Sequence, residues 1–372
     1  MITQRDLVVH LSTISGVGAT TIQNCIQQMR QLGLPLVDLY NYTAQELISL
    51  QIVPRAKADL VVGGLQDRTA FDQLLQDVER GRAGYVTMID DEYPKLLKNI
   101  NGAPAVLFYQ GDLAVLDKKT IAFVGARRAH GYSRFMAERL IKPLVEQDWT
   151  IVSGGALGAD SYAHEATLAC GGRTVAVLGS GLLHWAPGQH LKLFQSIIDS
   201  GGLLVSSFAM DVKPYPAHFP VRNRIIAGLS QGCVVLQAGR KSGALITAQY
   251  ALDQGREVFA VPGLVNDELS VGPHRLIQQG AKLVADAADI VCEFDVHHTF
   301  VQKNLFEDLD KNTVAEPAGE YDSLLCYLVK PMTTDDLLIK TGLSLDELQD
   351  KLFQLSLAGV LEQDFAGAWR RI

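Results

Sequence analysis

Two short runs of this chain carry residue types suited to holding an anion. The first is Phe219-Pro220-Val221-Arg222-Asn223-Arg224, with two arginines opening a helix. The second follows the apolar stretch Cys233–Ala238 and reads Gly239-Arg240-Lys241-Ser242-Gly243-Ala244-Leu245-Ile246-Thr247. A helix N-terminus presents unpaired backbone N–H groups and partial positive charge, and glycine lets a ligand approach the main chain. Cations and hydroxyls placed there favour phosphate.

The same chemistry recurs where other apolar segments end. Gly125-Ala126-Arg127-Arg128, Ser153-Gly154-Gly155, Gly179-Ser180-Gly181 and Ser206-Ser207 each follow a strand-like stretch. Brought to one edge, these glycines, hydroxyls and cations would suit a polyanion. Tyr132, Trp185, Tyr215, His218 and Phe219 lie in or beside the same loops. Aromatic rings that stack on bases contribute about 1–3 kcal/mol per base in single-stranded complexes. Phe219, next to Pro220, reads as a core-packing residue, whereas Tyr215 reads as exposed.

Standard nucleotide motifs are absent. Gly125 lacks the remaining glycines of GxGxxG and the acid about 20 residues later, and Arg240-Lys241-Ser242 lacks the glycine frame of a P-loop. Ser153, Asp160 and His164 form no convincing triad, because the last two lie four apart on one helix and read as a packed or surface pair. No His/Asp/Glu cluster has metal-ligand spacing. Binding without catalysis, cofactor or metal is therefore the expectation.

The elements that must position these loops are legible from periodicity. Apolar strands are expected at Thr120–Gly125, Thr150–Ser153, Thr174–Leu178, Leu203–Ser206, Cys233–Gln237, Glu257–Val261 and Lys282–Val284. Amphipathic helices separate them, at Ser133–Gln147, Ala159–Ala169, Gln189–Asp199, Arg222–Leu229, Ala244–Gln254 and His274–Gln279. Such alternation implies right-handed crossovers and a doubly wound, mostly parallel Rossmann-like sheet, with ligands outside the carboxyl ends of the strands. Residues 1–85 read as a small helical domain, with helices at Gln4–His10, Ala19–Leu32, Thr43–Leu50 and Arg55–Glu79. Ile14-Ser15-Gly16-Val17-Gly18 has the Gly-apolar-Gly turn of a helix-hairpin-helix, although few cations surround it.

The α/β domain is placed at residues 86–290, an acidic linker at 291–318 and a winged-helix-like domain at 319–372. In the last, Ser344-Leu345-Asp346-Glu347 is a capping box. The helix it opens carries Asp346, Glu347 and Asp350 against Lys351, which suits a structural or protein-contact module better than a DNA reader.

The net charge of −8 on 372 residues does not exclude nucleic acid. Ten acids between Asp286 and Asp322 face only Lys303 and Lys311, so the whole excess lies there and a basic face is free to exist elsewhere. Five scattered cysteines without a CxxC pair suit a reducing compartment. With no signal peptide or membrane-length apolar run, a cytoplasmic location is expected.

Taken in order, Gly125–Arg128, Ser153–Gly155, Phe219–Arg224, Ser242–Ala248, Val261-Pro262-Gly263 and Gly272–Ala281 resemble the DNA-processing protein A (DprA, or Smf) family of bacterial natural transformation. The likeness covers roughly residues 105–290. It implies a non-enzymatic protein that binds incoming single-stranded DNA, protects it and helps load the recombinase RecA. It also implies a homodimer formed through the Rossmann-like domain, flanked by a sterile-alpha-motif-type helical domain and a winged helix. Carried across, the resemblance puts Arg127, Ser153, Gly154, Gly155, Arg222, Asn223, Arg224, Lys241, Ser242, Gly243 and Thr247 in the DNA groove. This chain departs from the family pattern at Leu157, where an arginine is usual, and at Ser207 and Gln237, where glutamates are usual. Two alternatives remain: a nucleotide-processing hydrolase like the cytokinin-activating phosphoribohydrolases, whose loop glutamate is missing here, and a nucleotide-sensing regulator.

Overall fold

The computed structural model describes residues 3–294, 324, 328, 332–357, 360–363 and 368–371. They form two compact units, Met1–His298 and Thr299–Ile372.

The first unit opens with helices α1 (Gln4–Thr13), α2 (Ala19–Gln31), α3 (Ala44–Ser49), α4 (Arg55–Gln66) and α5 (Thr69–Arg80). The single helix expected over Arg55–Glu79 is two. The Asp67 carboxylate accepts the Thr69 N–H at 2.9 Å, and the Asp67 carbonyl lies 3.0 Å from Nε2 of buried His10. Breaking there lets Val61 and Leu65 on one segment, and Phe71, Leu74 and Val78 on the other, reach the same core.

Two strands that the periodicity did not reveal come next, β1 (Gly84–Thr87) and β2 (Val106–Gly111), with α6 (Lys95–Lys98) between them. The boundary expected at residue 85 thus falls inside β1. The α/β succession follows: β3 (Lys119–Val124), α7 (Gly131–Glu146), β4 (Trp149–Ser153), α8 (Ala159–Ala169), β5 (Thr174–Val177), α9 (Leu191–Asp199) and β6 (Leu203–Ser206). It continues through α10 (His218–Gly228), β7 (Gly232–Val235), α11 (Gly243–Asp253), β8 (Glu257–Ala260), α12 (Val271–Gln278), β9 (Lys282–Leu283) and α13 (Ala288–Phe294).

All nine strands make one sheet, ordered β1-β2-β6-β5-β4-β3-β7-β8-β9. From β6 to β9 the pairs are parallel, whereas β2 runs antiparallel to both β6 and β1. The order reverses at β3: β4, β5 and β6 build outward on one side, and β7, β8 and β9 on the other. This is the doubly wound, Rossmann-like arrangement that the alternation implied.

Both faces of the sheet are covered, which explains the continuous apolar strands. Ile121 and Phe123 pack with Leu140 and Leu144 of α7, while Ala122 and Val124 pack with Ile225 of α10 and Ala248 of α11. The N-terminal helices share a core with the sheet: Leu7, Leu11 and Phe71 belong to the same cluster as Phe108, Ala176, Phe194 and Leu204.

The second unit contains α14 (Thr334–Thr341), α15 (Leu345–Leu357) and the antiparallel hairpin β10 (Leu361–Gln363) with β11 (Trp369–Arg371). Ser344 and Glu347 make the expected box, with Ser344 Oγ donating to Glu347 at 2.7 Å. The helix expected over 323–329 lies almost wholly outside the described residues, as does the linker expected over 291–318 apart from its first residues, 291–294, which are helical in α13.

Candidate nucleic-acid interface

The reversal of strand order at β3 and β7 leaves a crevice beyond their carboxyl ends, where sheets of this kind hold ligands. A cavity of about 450 Å³ occupies it. Its walls come from the loop after β3, the start of α8, the first turns of α10 and the start of α11.

Arg127, Arg240 and Lys241 stand exposed on the rim and, among the described residues, make no ion pair. Ser242 is the N-cap of α11, its Oγ accepting the Ala244 N–H at 3.4 Å, which leaves the hydroxyl proton free. Around the Gly243 Cα there is open space, so a ligand can reach the main chain of the first turn. No acid occupies that turn. Asn223 donates to the Gly243 carbonyl at 3.3 Å and ties α10 to this terminus. Thr247 is buried yet lines the cavity, and its hydroxyl has no partner among the described residues.

Arg222 behaves differently from the rim cations. It is only 4% exposed, and its Nη1 donates to the carbonyls of Gly154 and, at 2.7 Å, Val177. It therefore links the loop after β4 to the end of β5. The Asp160 carboxylate lies close by, accepting the Ala156 N–H at 3.3 Å. Burial pushes the Asp160 carboxyl above its ordinary range, and the Arg222 charge and the Ala156 and Gly154 amides draw it back. Gly154 lies against both side chains: a Cβ there would overlap Arg222 and stand 2.6 Å from Asp160 Oδ2.

Phe219 belongs to the site, a correction to its reading as plain core. The Arg127 guanidinium lies 4.8 Å from its ring centroid and that of Arg222 5.7 Å away. Just beyond β7, Gln237 accepts the His130 N–H at 2.9 Å and donates to Asp267 at 3.0 Å. It braces the loops after β3 and β8.

The cavity thus brings together Arg127, Arg222, Asn223, Lys241, Ser242, Gly243 and Thr247. Ser153, Gly154 and Gly155 are buried outside its lining, with Ser153 Oγ donating to the Phe123 carbonyl at 2.7 Å. Arg224 lines a different cavity, on the other side of α10. Residues two apart on a helix cannot face the same way. Arg240 and Asp160 also line the cavity, beyond the residues expected there. Arg240 could have been found from its place beside Lys241 ahead of a helix, whereas nothing local marks Asp160.

No triad forms from Ser153, Asp160 and His164. His164 Nδ1 pairs with Thr174 Oγ1 at 2.7 Å, and burial holds its pKa down to about 3. Among the described residues, no group of three or more His, Cys, Asp or Glu is placed to hold a metal, and no helix is long and apolar enough to cross a membrane.

A doubly wound sheet with exposed cations and a helix N-terminus at its switch point defines a Rossmann-like fold whose crevice has the chemistry an anion would suit. The chain belongs to the family described as DNA recombination-mediator protein A, whose family model matches residues 84–295. It is 40% identical over 271 residues to Protein Smf of Escherichia coli strain K12, covering 72% of each chain. To the DNA processing protein DprA of Bacillus subtilis it is 45% identical over 200 residues, covering 54% of this chain and 67% of that one. Its fold matches the X-ray structure of DNA processing protein A from Streptococcus pneumoniae with a TM-score of 0.70 at 33% identity, over 80% of this chain and all of that one. A structure concerned with the single-stranded DNA binding mode of the Helicobacter pylori protein matches with a TM-score of 0.52 at 29% identity, over 57% of this chain and 97% of that one.

Proposed function

We propose that this protein binds single-stranded DNA in the crevice between β3 and β7, as a DNA-processing protein of transformation. The observation that carries the reading is the trio Arg127, Arg240 and Lys241, exposed and without ion pairs among the described residues, beside the open first turn of α11. These cations meet backbone phosphates, Ser242 and the α11 amides add hydrogen bonds, and Phe219 offers a ring at the floor. Arg222 and Asp160 hold the loops from below. Recognition within this crevice is sequence-independent, because contacts to phosphate position a strand without reading it. The single-stranded DNA binding described for the Helicobacter pylori relative supports the choice of ligand.

The finer parts of the proposal rest on kinship: the bound strand is protected and passed to the recombinase RecA, by a cytoplasmic homodimer that carries out no chemistry. Fluorescence anisotropy with single-stranded and duplex oligonucleotides tests the binding. Preference for the single strand, weakened in Lys241→Ala, is the expected result. Equal affinity for both forms, or release of free base from a nucleoside monophosphate, would overturn it.

A further inference from the structure

A second cavity, of about 240 Å³, lies on the opposite side of α10. Its floor is apolar, from Ile22, Leu74, Val106 and Phe108, and Ala19 at the start of α2 and Ala209 beyond β6 border it. The N-terminal helices thus complete it together with the sheet edge. One cation enters, Arg224. Its guanidinium makes no hydrogen bond among the described residues, and its Nε is sealed from solvent without a partner.

The Nη groups of Arg224 are not sealed in this way, so they are the donors a ligand's acceptors can reach beside the apolar walls. The volume is below that of pockets for drug-sized molecules and fits a single planar ring system. A ring with carbonyl or ring-nitrogen acceptors on its edge meets both demands, since guanidinium forks match such edges.

The route from the first cavity is lined with rings. Phe219 lines the first cavity, adjacent His218 stacks on Phe208 at 4.3 Å between centroids, and Phe208 lines the second. Tyr215, 62% exposed, meets His218 edge-on at 5.7 Å. Stacking platforms of this kind carry successive bases of a single strand.

We infer that this cavity is a nucleobase subsite, in which Arg224 hydrogen-bonds the edge of one base of a strand whose phosphates lie in the first cavity. The helical N-terminal segment is then part of the DNA interface. The inference rests on the proposed binding of single-stranded DNA and extends it across α10.

Anisotropy titrations of the full chain with oligothymidylates from two to twelve nucleotides test it. Three variants serve: Arg224→Gln removes the cation, Ala209→Trp crowds the border, and Ala19→Glu sets a carboxylate in the cavity that Arg224 lines. The last suits the fold, because an acid in a first helical turn is favourable. Each variant is expected to bind the shortest oligomer like wild type and the longer ones about tenfold more weakly, the scale of one lost base contact. Photo-crosslinking with 4-thiothymidine is expected to label Phe208 or Phe108. Wild-type affinity at every length for Ala19→Glu and Ala209→Trp, while Lys241→Ala still weakens binding, overturns this inference alone. Failure of the wild type to bind any oligomer overturns the DNA reading and this inference with it.

Discussion

The guanidinium of Arg127, from the loop after β3, lies 4.8 Å from the ring centroid of Phe219, in the first turn of the crossover helix α10. Two elements far apart in sequence thus meet at the switch point through one cation–π contact. An exposed contact of this kind contributes about 0.5–1 kcal/mol. Phe219→Leu keeps an apolar side chain but frees Arg127 to move. Anisotropy should show single-stranded affinity reduced about threefold to fivefold, with a thermal midpoint close to wild type. A large fall in that midpoint would assign Phe219 to the core instead.

Arg240 and Lys241 test the electrostatic part. Each phosphate neutralised on a single strand contributes about −0.7 to the slope of log K against log salt concentration. Arg240→Ala and Lys241→Ala should each flatten that slope by about 0.7, and the double variant by about 1.4. A slope unchanged in both single variants would remove these side chains from the phosphate path.

Asp160 and Arg222 are both buried beneath the crevice and attract each other there without forming a direct ion pair. Removing one member leaves the other's buried charge without that attraction, so each single loss should exceed what the double variant implies. Urea denaturation of Asp160→Asn, Arg222→Met and the double variant should therefore show a strongly non-additive cycle. Additive losses would mean that Arg222 acts mainly through its bonds to the Gly154 and Val177 carbonyls.

His164 sets a pH dependence of stability. Its folded pKa is held down to about 3 by burial, against an ordinary value of 6.5. Between those values the unfolded chain takes up a proton that the folded chain refuses, so acid favours unfolding. This residue should steepen the loss of stability by up to about 1.4 kcal/mol per pH unit as pH falls below 6.5. His164→Gln should flatten the curve over that window, as read by denaturation at several pH values. Parallel curves would show that the ring takes up its proton equally in the folded and unfolded states.

Two thiols should be inert in the folded protein. Burial pushes Cys25 and Cys233 up to about 12, whereas Cys292 is exposed. Timed alkylation with mass mapping should label Cys292 early, and Cys25 and Cys233 only after unfolding. Early labelling of Cys233 would mean that β7 opens readily.

Much of the molecule was legible because the signals are local. Strand and helix succession from residue 119 onward follows from periodicity, and the box at Ser344 and Glu347 follows from three-residue spacing. The basic run before α11 was equally plain, since an exposed Lys241 beside an N-capping serine needs no distant partner. β1 and β2 are not legible in the sequence because they lie outside the repeating alternation and pair antiparallel at one side of the sheet.

The sequence by itself determined the element succession from residue 119 onward, the doubly wound class of the sheet and the presence of anion-seeking runs. Only the tertiary structure decided depth and direction. Ser153–Gly155 look like an open loop in sequence, but the packing of Arg222 and Asp160 around them buries them. Arg222 and Arg224 look like one pair, but the helix turns them toward different cavities, and the second of these exists because helices from residues 3–80 pack against the sheet edge. Periodicity fixes the side of an element on which a residue lies, while what covers that side is set by contacts between segments far apart along the chain.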